Sequence, residues 1–219
     1  MVIGHFAVGF ALKRFAPQVS LGALMAAAVL PDLLSPIFML VGWERFRIVP
    51  GITAFMPYDL ERIPYSHSLL MTLVWALLFA GGYWLLTRFQ TGAVAIFIGV
   101  LSHWLLDFIT HRPDLPIYPG GSLRVGLGLW HSILGTLALE VPLFIAGVWF
   151  YITTTRPKGK GVVGIPALWG LIAAMVLVYA NGLLGTPPTD EKTATWIALL
   201  IWLVPPWAWW IDREHELNL

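Results

Sequence analysis

The chain has 219 residues, of which 58% are hydrophobic and only 11% charged, against roughly 45–50% and about 25% in soluble domains; a soluble globular or disordered protein is excluded and an integral membrane protein implied. Thirteen Lys and Arg against twelve Asp and Glu leave a net charge of +1, which offers no pull toward phosphate backbones and argues against a nucleic acid partner. Cysteine is absent, so disulfides and thiolate zinc sites are excluded, and any metal must be held through nitrogen and oxygen.

Residues 2–12 are apolar but extend only about 17 Å as a helix, too short for a hydrocarbon core of about 30 Å. A half-inserted N-terminal helix is expected, with Lys13 and Arg14 snorkelling to the interface. These two cations follow the apolar run rather than precede it, so no cleavable signal is evident and Met1 is expected near the mature start. Spans are predicted at 20–41, 67–87, 92–110, 125–153, 163–184 and 193–211. The fold expected is an all-α polytopic transmembrane bundle of about six spanning helices plus the short N-terminal helix, forming a single membrane domain over residues 1–219. The connection 42–66 is long enough to cap one membrane face. Trp202, Trp207, Trp209 and Trp210 read as an interfacial belt beside a Pro205-Pro206 bend.

Counting crossings puts the loops after Phe15, near Arg88 and at 156–160 on one side together with the C-terminal tail. The dense basic loop Arg156-Pro157-Lys158-Gly159-Lys160 favours a cytoplasmic first face. The second face is then extracytoplasmic.

The polar residues inside the spans are the informative ones. Asp32, Asp107 and Glu140 have no Lys or Arg within the spans to pair with, and a lone charge at membrane depth costs at least about 2.5 kcal/mol. Their conspicuous neighbours are His5, His67, His103, His111 and His131; a bound divalent metal would balance the charge. His103, Asp107 and His111 recur at i, i+4 and i+8 on one helical face. His103 and Asp107 suit one ion, whereas His103 and His111 stand about 12 Å apart along the axis, so Asp107 is expected to bridge two ions. Pro113 should end the helix near His111 and present that ring at the membrane surface. All these residues approach the second face when the crossings are traced, and Pro31 in Leu30-Pro31-Asp32 is expected to loosen the helix there.

His5, Leu30-Pro31-Asp32, Tyr65-Ser66-His67-Ser68-Leu69-Leu70 and Leu101-Ser102-His103-Trp104-Leu105-Leu106-Asp107 together resemble the YdjM-like membrane-bound metal-dependent hydrolases of bacterial inner membranes, over roughly residues 1–140. That family is grouped with zinc phospholipases C and single-strand-specific nucleases. The resemblance implies one ion held by Asp32, His67, His103 and Asp107, with Asp107 bridging toward another near His5, and a second or third ion needing His111 and His131. It implies a metal-site core at 1–140 and C-terminal accessory helices at 163–211. Two departures stand out: Gly135 occupies the position four after His131 where the pattern has Glu, with Glu140 as the nearest carboxylate, and Leu34 replaces a second Asp.

The implied activity is hydrolysis of a phosphoester, on a lipid or lipid-linked substrate at the membrane surface. One to three ions would serve, zinc first, with manganese or magnesium as alternatives. Asp32 or Asp107 would orient the water, and Arg112 and Arg124 would hold the phosphate or simply face lipid head groups. The competing expectations are a structural polar network between helices, a proton or ion transporter, and a metal-stabilised scaffold. The oligomeric state is not legible.

Overall fold

Apolar runs, punctuated by proline, glycine and small capping side chains, set the architecture. The computed structural model describes residues 1–218, which form nine α-helices: α1 (Ile3–Phe15), α2 (Leu21–Ala28), α3 (Leu30–Leu40), α4 (Leu69–Thr87), α5 (Gln90–Thr110), α6 (Ile133–Thr154), α7 (Gly164–Leu184), α8 (Glu191–Ala198) and α9 (Val204–Arg213). Three short antiparallel pairs join them: β1 (Arg45–Ile48) with β2 (Tyr58–Arg62), β3 (Leu115–Pro116) with β4 (Arg124–Val125), and β5 (Thr155–Pro157) with β6 (His215–Leu217). Ser20, Ser68, Ser132 and Asp190 cap α2, α4, α6 and α8, each accepting a backbone N–H three residues on. These bonds satisfy donors that a helix start leaves orphaned.

Five stretches are long and apolar enough to cross a membrane: α4, α5, α6, α7 and the run Glu191–Arg213. The all-α polytopic bundle is as expected; several boundaries differ. Residues 20–41 are not one straight span but α2 and α3, bent by 60°. Pro31 falls in the first turn of α3, where a missing N–H is tolerated, and the break comes just before it at Val29. The predicted span 125–153 is helical only from Ile133. Gly126 and Gly128, both with positive φ, instead turn the chain back so that Leu127 N–H and Gly128 N–H donate to the carbonyls of Phe108 and His111. A Cβ at Gly126 would lie 2.3 Å from the Arg112 carbonyl oxygen. The last span passes through a 3-10 stretch, Leu199–Leu203, ahead of the proline pair that opens α9.

Helix α1 is short, as its apolar length requires, yet it lies inside the bundle. Two apolar clusters meet on α1 and α2: one with α6, α7 and α9 around Phe10, Met25, Tyr151 and Leu171, the other with α4 and α5 around Leu12, Leu24, Ala76 and Ile96. Gly147 of α6 lets the α1 backbone approach closely; a Cβ there would sit 2.4 Å from the Ala7 carbonyl oxygen. Helix α4 buries only Thr72, Ala76 and Ala80, one stripe at helical spacing, and leaves the rest for lipid.

Lys13 does not snorkel. It is buried, and its Nζ donates at 2.9 Å to the Val19 carbonyl and at 2.8 Å to the Asp212 carboxylate; Arg14 is the exposed member of the pair. Together with the β5–β6 pairing, this brings residue 13, the 155–157 loop and the C-terminal tail to one end of the bundle, as the crossing count expects. Two tryptophans of the expected belt donate their indole N–H to bundle carbonyls, the exposed Trp202 to Leu33 and Trp207 to Ala167.

Candidate metal centre

At the other end of the bundle, side chains from α1, α3, α5 and the segments flanking α4 and α5 converge. Three imidazoles are each oriented through Nδ1. The break between α2 and α3 leaves the Ala28 carbonyl facing α5, and His103 Nδ1 lies 2.9 Å from it. His67 Nδ1 lies 2.6 Å from Ser66 Oγ. His111, which caps α5 with extended backbone, has its Nδ1 3.1 Å from Asp114 Oδ1. A ring that donates through Nδ1 to a fixed acceptor presents an unprotonated Nε2, the form that binds metals.

Those Nε2 atoms face the two carboxylates. On one side of Asp107, its Oδ2 is 3.2 Å from His103 Nε2 and 3.8 Å from His67 Nε2, while Asp32 Oδ1 is 3.3 Å from His67 Nε2 and 3.7 Å from His103 Nε2. Four ligands at about 2.0–2.2 Å around one tetrahedral ion would stand about 3.3–3.6 Å apart. On the other side, Asp107 Oδ1 lies 3.0 Å from His5 Nε2 and 3.6 Å from His111 Nε2, and the Met1 amino group also pairs with it. Two triads have ligand atoms close enough to share an ion: His5, His103 and Asp107, and Asp32, His67 and His103. His103 Nε2 and Asp107 Oδ2 are buried without a hydrogen-bond partner among the described residues. With the His103 proton on Nδ1, two lone pairs confront each other across 3.2 Å, an arrangement a cation relieves.

Burial pushes the His111 imidazole below its ordinary value. Burial acts on His67 in the same direction, but the surrounding carboxylates, Asp32 first and then Asp107 and Glu44, outweigh it and hold its pKa above the ordinary one, so without a cation acid favours a second proton on Nε2 facing Asp32. His111 is not a surface ring as expected: it is buried, packed 4.2 Å from the Trp130 ring centroid.

The remaining sequence candidates lie elsewhere. His131 is exposed on the 3-10 turn Leu129–His131, because that turn directs Trp130 inward instead. Glu140 is buried, and its Oε2 accepts the backbone N–H groups of Val2 and Gly4 at 2.9 and 3.1 Å. It thus holds the start of α1, and with it the helix that carries His5; neither His131 nor Glu140 joins a triad. The Arg112 guanidinium is engaged by Asp59 and Asp114, tying the β1–β2 hairpin to the end of α5. Arg124, half-buried in β4, forms no ion pair among the described residues.

Sequence reading missed Glu44, Ser66 and Asp114 as supports of the site. Asp114 was within reach, three residues after His111; Ser66 sits in the Tyr65-Ser66-His67 motif itself. Glu44 carried no signal, since nothing in its local spacing links it to His67.

The family model of the YdjM inner membrane protein matches residues 1–184. The chain belongs to the YdjM family. It is therefore an integral protein of the inner membrane, and the match takes in every donor of the centre. No curated protein and no solved structure matches it significantly.

Proposed function

We propose that this YdjM-family chain is a membrane-embedded, metal-dependent hydrolase that cleaves a phosphoester of a lipid or lipid-linked substrate at the membrane surface. The observation that carries the reading is the pair of buried atoms without a hydrogen-bond partner among the described residues, His103 Nε2 and Asp107 Oδ2, 3.2 Å apart within reach of Asp32 and His67. Asp32, His67, His103 and Asp107 would hold the first ion, zinc or else manganese or magnesium, and His5 and His111 on the far oxygen of Asp107 would serve a second. Bound there, the ion supplies Lewis-acid activation of water and neutralises charge on phosphate oxygens.

The chain's own residues supply the rest. Asp32 is 35% exposed while the other three donors are buried, so water and substrate approach from its side and its free oxygen can take a proton from an attacking water. Asp107 stays dry and fixes the spacing of the donor set. The likeness to zinc phospholipases C in motif order supports phosphoester chemistry by analogy. Arg112 is already committed to Asp59 and Asp114, so of the two expected phosphate ligands Arg124 is the one without an ion pair among the described residues.

The burial of His5, His103 and Asp107 also favours a second reading, a metal that stabilises the bundle without turnover. Metal analysis of the purified protein, followed by a phospholipid and prenyl-phosphate hydrolysis panel, separates the two. The hydrolase reading expects about one or more equivalents of metal, lost in His103→Ala with the helical content retained, and phosphate release abolished in Asp107→Asn. Stoichiometric metal with no release from the whole panel supports the scaffold. Metal-free protein whose melting profile ignores chelator overturns both.

A further inference from the structure

Glu44 lies in the connection after α3, outside every helix, and is 1% exposed. A buried carboxylate needs compensation, and none of its partners among the described residues is a cation. Its Oε1 instead accepts the backbone N–H groups of Tyr65 and Ser66, both at 2.8 Å, and its Oε2 accepts the Ser66 hydroxyl at 2.6 Å. Ser66, fully buried, has one hydroxyl proton, which goes to Glu44. The same oxygen lies 2.6 Å from His67 Nδ1 and can only accept there, so the ring must carry its proton on Nδ1. The chain Glu44, Ser66, His67 therefore has one direction, and it ends in an Nε2 lone pair aimed at Asp32 and Asp107.

We infer that Glu44 is a positioning residue: acting through the Ser66 hydroxyl, it fixes the His67 tautomer and so sets the metal affinity of the centre. This rests on the metal reading above. Ser66 has the company of an acid and an imidazole, as a nucleophile would, but it is wholly buried and its proton points away from the imidazole. His103 and His111 reach a carbonyl and a carboxylate directly; His67 alone is held at one remove, which makes its ligand form dependent on a residue 23 positions earlier in the chain.

Glu44→Gln is close to isosteric but reverses the chain. If the amide oxygen keeps the two backbone N–H groups, its NH2 must donate to Ser66. The hydroxyl proton then turns toward His67 Nδ1, and the ring proton moves to Nε2, where it blocks metal binding. The test uses the full-length protein in detergent, titrated with Zn2+, with nitrogen-15 NMR of its histidines recorded on the metal-free protein at alkaline pH. Wild type is expected to show His67 protonated on Nδ1, and Glu44→Gln protonated on Nε2 with Zn2+ affinity lowered about 10–100-fold. Ser66→Ala should lower affinity over the same range, and the double variant no further than the worse single one, since both act in one chain. Should Glu44→Gln fail to fold, Ser66→Ala carries the test by the same two readouts. Wild-type affinity in a folded Glu44→Gln or Ser66→Ala overturns the inference, as does a wild-type His67 protonated on Nε2. Wild-type protein that binds no Zn2+ yet shows the Nδ1 tautomer, lost in Glu44→Gln, overturns the metal reading and leaves the orienting chain standing.

Discussion

The two ends of the bundle both bury charge, and they do so in opposite ways. At the end where the C-terminal tail lies, Lys13 and Asp212 answer each other, and the leftover capacity of each goes to backbone: Lys13 to the Val19 carbonyl, Asp212 to the Leu21 N–H at 3.1 Å. Nothing in that pair awaits a partner. At the other end two carboxylates and four imidazole Nε2 atoms face inward, with three of the rings held on the outer side through Nδ1. Burial of polar groups therefore does not by itself mark the candidate metal centre; the balance of donors and acceptors does.

The largest effect expected from disturbing that contrast is at the satisfied end. Lys13→Met leaves the half-buried Asp212 carboxylate without its cation and should cost at most about 3–5 kcal/mol of stability in detergent-based unfolding, with metal content per folded molecule unchanged. Lys13→Met combined with Asp212→Leu should recover most of the loss; a double variant as unstable as the single one would mean the pair does more than balance itself. Metal removal acts on the other end alone. Saturating an intact centre at about 1,000 times its dissociation constant should add about 4 kcal/mol, seen as a melting shift that chelator reverses in wild type and Lys13→Met alike but not in His103→Ala.

Smaller effects refine the picture. Glu140→Ala strands the Val2 and Gly4 N–H groups and should cost about 1–3 kcal/mol. Glu140→Gln, whose amide oxygen still accepts, should cost less, and a complete loss of metal in both variants would instead make Glu140 a ligand. His131→Ala should change stability by no more than about 0.5 kcal/mol and leave metal stoichiometry alone. A missing equivalent of metal would return His131 to the centre.

Much of this was legible in the sequence because apolar length and helical spacing are local properties. Helices α4 to α7 follow from apolar runs, and His103 with Asp107 from an i, i+4 spacing that brings their ligand atoms to 3.2 Å. What spacing could not carry was the backbone leaving the helix. His111 is on the periodic face only up to Thr110; beyond it the extended backbone and the glycine turn at 126–128 fold the ring back under Trp130, so the ring is buried rather than presented at the membrane surface. The same holds at Leu30-Pro31, where the proline was expected to loosen a span and instead opens a new helix at an angle. Lys13 was read as snorkelling because its partner, Asp212, is 199 residues away, a pairing no local pattern contains. His131 and Glu140 looked like ligands by type and order, yet which residue of a 3-10 turn points inward, and which backbone groups a buried carboxylate meets, are settled by tertiary packing.

The Lys13 pair also bears on how the chain tolerates shortening. Asp212 lies beyond residue 184, where the family match stops, yet it neutralises a residue on the helix that delivers His5. A version truncated after α7 would keep every donor of the centre and leave the Lys13 ammonium without its carboxylate. The C-terminal helix thus supplies the counter-ion for the half of the chain that carries the candidate metal centre.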